Sequence, residues 1–157
     1  MSGAYRIEPL GNHDRRSFTC GSEVLDRYFR EQVSQDARRR VASCFVAVCA
    51  EGDVAGYYTL AATAIALDAL PAERAMKLPR YPVVPAILLG RLAIATGHQG
   101  KRLGGAMLAD AILRSTRSDI TGYAMVVDAK DETAARFYEH LEFMRLPGDP
   151  LRLIRIL

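Results

Sequence analysis

The sequence predicts an α+β chain, an α/β sandwich and neither an all-helical nor an all-strand fold, on three observations. Runs with helical spacing and runs with strand character alternate from end to end, with no internal repeat or low-complexity stretch. An apolar strand candidate feeds a glycine-rich turn that opens a helix. Of the 157 residues, 50% are hydrophobic and 25% charged, the composition of a chain that buries a core. At this length one compact domain over residues 1–157 is expected, burying roughly two-thirds of the surface of the unfolded chain.

Taken in order, Tyr5 to Leu10 reads as a short opening strand, followed by a polar loop through Asp14, Arg15 and Arg16. Ser22 is placed to cap a helix, because Leu25, Tyr28, Phe29 and Val33 fall at i, i+3, i+4 and i+8; that spacing predicts one helix to about Arg39. Ser43 to Ala50 and Val54 to Ala61 are strand-like runs joined by Glu51-Gly52-Asp53, which predicts an antiparallel hairpin. Between Leu67 and Pro85, four of the seven prolines (Pro71, Pro79, Pro82 and Pro85) leave room for a short helix and then an extended loop. Ala86 to Ala95 is an apolar strand running into a polar turn from Thr96 to Gly105, which overlaps the start of a helix from about Lys101 to Arg114. Tyr123 to Ala129 gives another strand and Asp131 to Leu141 another helix. Phe143 to Leu157 gives two short strands broken by Pro147-Gly148-Asp149-Pro150.

Composition excludes several classes. Lys and Arg number 21 against 18 Asp and Glu, a net charge of +3, far from the basic blocks of a dedicated nucleic-acid tail. Most of the positive charge is arginine, whose planar fork suits phosphate. Cys20, Cys44 and Cys49 form neither an even disulfide framework nor a CxxC pair, and the N-terminus has no signal-peptide pattern, so a cytoplasmic protein is expected. The most apolar stretch, Val83 to Ala95, is interrupted by Arg91 and is too short to span a bilayer. His13, His98 and His140 lack metal-ligand spacing, and no metal is expected. Buried packing is the expected place for the cysteines, with Cys20 close enough to a helix start for a lowered pKa.

The chemistry-bearing stretch is Gln99-Gly100-Lys101-Arg102-Leu103-Gly104-Gly105-Ala106, between an apolar strand and a helix. A helix N-terminus combines unpaired N–H donors with the positive end of the macrodipole, and glycines let a phosphate approach the backbone. Lys101 and Arg102 add charge to the same place. No Lys followed by Ser or Thr comes after the second glycine, which excludes a P-loop, and the glycines at 97, 100, 104 and 105 do not form GxGxxG.

The loop resembles the acetyl-CoA pyrophosphate loop of the GNAT N-acetyltransferases: Gln or Arg, two residues, Gly, one residue, then Gly or Ala. Gln99 and Gly104 match, and Arg102 stands where the pattern has glycine. Arg91-Leu92-Ala93-Ile94 resembles the strand leading into that loop. Val126 to Asp131, then Ala134-Ala135-Arg136-Phe137-Tyr138-Glu139 and Glu142-Phe143, resemble the strand and helix that complete the cofactor cleft, with Glu142 where glycine is common. Four further stretches resemble the TacT-type toxins within that family: Phe18 to Ser22, Gly56 to Leu60, Leu78 to Pro82 and Pro85 to Arg91.

The resemblance implies a GNAT acyl-CoA N-acyltransferase fold, a mixed, mostly antiparallel sheet flanked by helices. It implies acetyl transfer from acetyl-CoA to the amino group of aminoacyl-tRNA, a ribbon-helix-helix antitoxin as partner, and a homodimer. Leu92, Ala93, Ile94, Gln99 to Ala106, Ala134 and Phe137 would hold acetyl-CoA, a backbone N–H near Ile94 would hold the oxyanion, and Tyr138 would protonate the departing thiolate. By spacing alone Tyr138 shares an apolar helix face with Ala134, Phe137 and Leu141, so core packing is its other reading. Arg38, Arg39, Arg40, Arg80 and Arg91 are the candidate tRNA contacts, with a solvated charged face as the alternative. Tyr57, Tyr58 and Tyr81 either line the acceptor cleft or pack in the core. A protein N-terminus or small amine as acceptor, or a non-catalytic GNAT-fold binding module, are the competing functions.

Overall fold

The computed structural model describes residues 4–157. Seven strands stand in the hydrogen-bonded order β1-β2-β3-β4-β5-β7-β6. They are β1 Arg6–Pro9, β2 Ser43–Val48, β3 Val54–Ala66, β4 Val83–Ile94, β5 Ala124–Asp128, β6 Met144–Leu146 and β7 Asp149–Ile156. The pairs β1·β2, β2·β3, β5·β7 and β6·β7 are antiparallel, and β4·β5 is parallel. The helices are α1 Glu23–Arg27, α2 Val33–Arg38, α3 Ala72–Ala75, α4 Leu103–Thr116 and α5 Glu132–His140. The chain divides into two compact units, one running to Ala61 and resuming over Gly90–Ala111, the other Ala62–Leu89 and Ile112–Leu157; β3, β4 and α4 pass through both.

The first unit is organised around aromatic rings. Tyr57 stacks on Phe29 (centroids 4.3 Å apart, planes 9°), and Phe18 sets its edge to both. Val33, Val46, Val48 and Ala93 close the core. Ser22 caps α1 as its position predicts, accepting from the Leu25 N–H. The expected single helix is interrupted, however: Tyr28–Gln32 is a π-helical turn between α1 and α2, closed by the Val33 N–H donating to the Tyr28 carbonyl. Two carbonyls of this bent stretch accept from distant side chains, Leu25 from Tyr57 Oη (2.7 Å) and Phe29 from Arg15 Nη1 (2.8 Å). Such side-chain partners offset the irregular backbone pattern. Gly56 on β3 sits where a Cβ would come within 2.9 Å of both the Ala93 carbonyl oxygen and Met107 Sδ, so only glycine lets β3 lie this close to β4 and α4.

In the second unit, Ile65, Leu70, Val84, Ala86, Ala124, Val126, Leu146 and Ile154 form the core. β4 begins at Val83, earlier than predicted, and tolerates Pro85, whose carbonyl accepts from the Tyr123 N–H. The parallel ladder to β5 runs from Ala86↔Ala124 to Leu89↔Val127. Asp131 caps α5, accepting from the Ala134 N–H at 2.9 Å. Glu142 then adopts φ 71°, turning the chain so that the Phe143 N–H donates to the Tyr138 carbonyl and β6 can begin.

Candidate active site

The glycine loop starts where β4 loses regular pairing. The Ala95 N–H donates to the Ala55 carbonyl (2.8 Å) and the Thr96 N–H to the Thr19 carbonyl (2.9 Å). Backbone groups alternate in direction along a strand, so the Ile94 N–H and C=O face the opposite edge of β4 from those of Ala95. On that edge the Ile94 carbonyl accepts from a side chain, Gln99 Nε2, at 2.9 Å, where a laddered residue would accept from a neighbouring strand. Gln99 Nε2 also donates to the Cys20 carbonyl at 2.9 Å, so this side chain ties the loop to itself and to the Thr19–Cys20 segment.

That segment is in turn held by Asp26, which is 4% exposed and accepts from the Cys20 N–H (2.8 Å) and Thr19 Oγ1 (3.1 Å). Burial works against its carboxylate, and these hydrogen bonds, with Arg30 nearby, more than offset it and lower the pKa. The Cys20 thiol moves the other way from the lowered pKa its sequence position suggested: burial and the neighbouring Asp26 raise it. Cys44 and Cys49 are buried as expected.

Beyond Gln99 the chain makes two left-handed steps, Gly100 (φ 78°) and Arg102 (φ 63°). The second ends the loop and delays the helix to Leu103, two residues later than the sequence suggested. The Ala106 N–H donates to the Arg102 carbonyl, so the amides of Leu103, Gly104 and Gly105 precede the first intrahelical bond and are the helix's unpaired donors. A Cβ on Gly105 would meet nothing within 4 Å, and Lys101 and Arg102 are exposed. Gly100, Lys101, Arg102, Leu103 and Ala106 line a cleft of about 790 Å³ with Tyr5 and Ile7. Open donors, a bare backbone and two cations are the donor set a pyrophosphate needs, so the residues present fit acetyl-CoA.

In the second unit, α5 carries Ala134, Phe137 and Tyr138. Tyr138 is half-buried, its ring packed against Phe137 (5.2 Å) and Phe143 (5.5 Å). Among the described residues its hydroxyl has no hydrogen-bond partner, and burial alone pushes its pKa up to about 12. A phenol in that state stays protonated at neutral pH and can donate.

The candidate arginines differ in their surroundings. Arg38, Arg39 and Arg40 are exposed at the end of α2, and Arg80 is exposed in the second unit. Arg91 is half-buried, its guanidinium 3.5 Å from the centroid of the Tyr28 ring. Tyr57 and Tyr58 are fully buried and belong to the core, whereas Tyr81 is 69% exposed. His98 Nδ1 bonds Tyr5 Oη and His13 bonds Glu8; among the described residues no cluster could hold a metal. Sequence reasoning passed over Asp26, whose signal was an acidic residue in the first turn of a helix following Thr19-Cys20-Gly21-Ser22.

A family model described as the Acetyltransferase (GNAT) family matches residues 7–143. The chain belongs to this acetyltransferase family. One relative of this acetyltransferase, a Mycobacterium tuberculosis protein named tRNA-acetylating toxin, is 36% identical over 146 residues, 92% of this chain and 86% of the relative. Among solved structures, AtaT complexed with acetyl-methionyl-tRNAfMet superposes with a TM-score of 0.88 at 28% identity, covering 97% of this chain and 94% of that one. A tyrosine-to-phenylalanine mutant of AtaT, bound to the C-terminus of the antitoxin AtaR and to acetyl-CoA, gives a TM-score of 0.80 at 25% identity, covering 98% and 93%. No helix among the acetyltransferase's described residues is long and apolar enough to cross a membrane.

Proposed function

We propose that this acetyltransferase is the toxin of a toxin–antitoxin pair, moving acetyl from acetyl-CoA to the α-amino group of aminoacyl-tRNA and so blocking translation. The observation that carries the reading is 36% identity to a tRNA-acetylating toxin across 92% of the chain. The open, basic glycine loop supports it.

Residues 1–157 act as one catalytic domain. The amides of Leu103 to Gly105, with Lys101 and Arg102, hold the pyrophosphate; Leu92, Ala93, Ile94, Ala134 and Phe137 flank the thioester arm. Gln99 contributes by holding the loop in shape. An α-amino group titrates near pH 7.7–8.0 in peptides, so a useful fraction of the substrate is already the free amine and no strong base is required. The amine attacks the thioester carbonyl and forms the C–N bond. The Ile94 N–H, on the unladdered edge of β4, stabilises the oxyanion. Collapse breaks the C–S bond; Tyr138 donates its proton to the sulfur, the amine's surplus proton passes to solvent, and the tyrosinate takes a proton back from solvent, so that each turnover leaves the amide, the CoA thiol and a neutral Tyr138. Arg38, Arg39, Arg40, Arg80 and Arg91 contact the tRNA backbone, the first four as exposed charges. A ribbon-helix-helix antitoxin neutralises the enzyme, which works in the cytoplasm as a homodimer.

The test is to incubate the protein with radiolabelled acetyl-CoA and three acceptors: charged tRNA, deacylated tRNA and a protein extract. Label is expected on charged tRNA alone, and Tyr138→Phe should cut turnover at least a hundredfold with acetyl-CoA affinity retained. Label confined to protein or small amines would keep the acetyltransferase and remove the toxin. No transfer to any acceptor would favour a binding module.

A further inference from the structure

We propose that Arg145, on β6, is a positioning residue for Tyr138: its guanidinium clamps both ends of α5 and so fixes where the proton donor stands. The inference rests on the reading of Tyr138 as that donor.

The clamp is explicit in the geometry. Arg145 Nη1 donates to Glu132 Oε1 at 3.0 Å and Nη2 to Glu132 Oε2 at 2.6 Å, a two-pronged bond to the first residue of the helix. Nη2 also donates to Glu139 Oε1 at 3.0 Å, in the last turn. Glu132 and Glu139 lie seven residues apart, which is two turns and roughly 10 Å along one helix face. A single planar group that holds both carboxylates sets the rotation of the helix about its axis and its position along it. Tyr138 is the next residue before Glu139.

Two features give the clamp a task beyond stability. The Tyr138 hydroxyl has no hydrogen-bond partner among the described residues, so nothing at the reacting atom orients it; its place comes from its ring packing and from the helix. That helix has nine residues, too few to hold its own shape in water, and depends on its ties to β6 and β7. Arg155 on β7 supplies another, its Nη1 donating to the Leu141 carbonyl at 3.0 Å. The Arg145 side chain is only 23% exposed, with its Nε buried, while the two glutamates it holds remain accessible.

A double-mutant cycle tests this. Arg145→Met keeps the apolar stem and removes the fork; it is expected to lower kcat by about ten- to a hundredfold, the effect of an ångström-scale displacement of a catalytic group, with KM for acetyl-CoA and for aminoacyl-tRNA unchanged within about twofold. In a Tyr138→Phe background the same change should lower the residual kcat by less than about twofold, because the group it positions is gone. Arg145→Lys, which keeps charge without the fork, should recover only part of the loss, and Glu139→Ala, which removes the acceptor at the far end of the helix and leaves the bond to Glu132, guards against a variant that fails to fold. Equal kcat losses from Arg145→Met in both backgrounds, or an unchanged kcat in the native one, would overturn the positioning role alone. Full turnover in Tyr138→Phe would overturn the proton-donor reading and this proposal with it.

Discussion

The glycine loop and helix α5 are held by opposite means. The loop is tied by short bonds to backbone carbonyls: Gln99 Nε2 to Ile94, and the Thr96 N–H to Thr19 and Gln99 Nε2 to Cys20, the last two carbonyls belonging to a segment held by the Asp26 carboxylate, which is 4% exposed. Helix α5 is tied by charge at its surface, Arg145 to Glu132 and Glu139, whose side chains are 55% and 43% exposed. Exposed ion pairs contribute about 0–1 kcal/mol and weaken with salt; charge-assisted bonds to a buried carboxylate contribute more and are screened less. The loop is therefore held in a fixed shape by buried bonds, and the helix by surface ties that add little stability.

The largest expected effect lies at the loop's support. Asp26→Ala removes two bonds to the Thr19–Cys20 segment and a favourable charge in the first turn of α1, and should destabilise by about 3 kcal/mol in denaturant unfolding. Arg145→Met, which removes ion pairs to exposed glutamates, should cost much less, and equal losses would erase the contrast. The pH dependence follows from the sign of the shift. The folded pKa of Asp26 is lowered from 3.8, so its contribution is complete above the unfolded value and is lost as pH falls below about 4 through the folded one. In Asp26→Ala that segment of the acid-unfolding curve should flatten.

These supports explain which parts of the molecule were legible in the sequence. Elements set by local pattern were readable: the Ser22 cap, the β2–β3 hairpin, the strand–loop–helix order and α5. The π turn at Tyr28–Gln32 was not, because Leu25, Tyr28, Phe29 and Val33 keep a helical spacing and the bonds that favour the turn come from Tyr57 and Arg15. β3 ran five residues past its expected end because Ala62 to Ala66 carries little strand signal of its own. β4 could begin before Pro85 because that proline's carbonyl, and not its missing N–H, makes the bond to Tyr123. Of the site, the loop was legible from its glycines, while the choice between cleft and core for Tyr57 and Tyr58 depended on burial that no spacing encodes.

Two glycines sharpen the contrast between a packed and an open position within the loop's own unit. In Gly56→Ala the new Cβ meets the Ala93 carbonyl oxygen and Met107 Sδ at 2.9 Å and Ile94 Cδ1 at 3.1 Å. The expected loss is about 2 kcal/mol from overpacking, read as a lowered denaturation midpoint. In Gly105→Ala the Cβ meets nothing within 4 Å, and alanine is the better helix former. Stability should hold or rise while acetyl-CoA affinity falls, because the methyl group occupies the approach to the backbone. Unchanged affinity in Gly105→Ala would move the pyrophosphate away from the first turn of α4.

The smallest effects separate backbone strain from function at two matched residues. Arg102 and Glu142 adopt φ 63° and 71°, a conformation that costs a side-chain-bearing residue about 1–2 kcal/mol, and both stand where the family pattern favours glycine. Replacing either by glycine relieves that strain but adds about 0.4–1 kcal/mol of chain entropy to the unfolded state, so each should gain only about 0.5 kcal/mol. For Glu142 the ion pair lost to Arg155, at 3.6 Å with the glutamate side chain 82% exposed, changes this little. In binding the two should part. Glu142→Gly should leave acetyl-CoA affinity intact, whereas Arg102→Gly should weaken it about tenfold, the loss of one charge-assisted phosphate contact. Equal affinity in both variants would make Arg102 a residue that tolerates the turn and contributes nothing to the cofactor; unequal affinity would mean that this chain accepts backbone strain in its loop in exchange for a cation at the pyrophosphate.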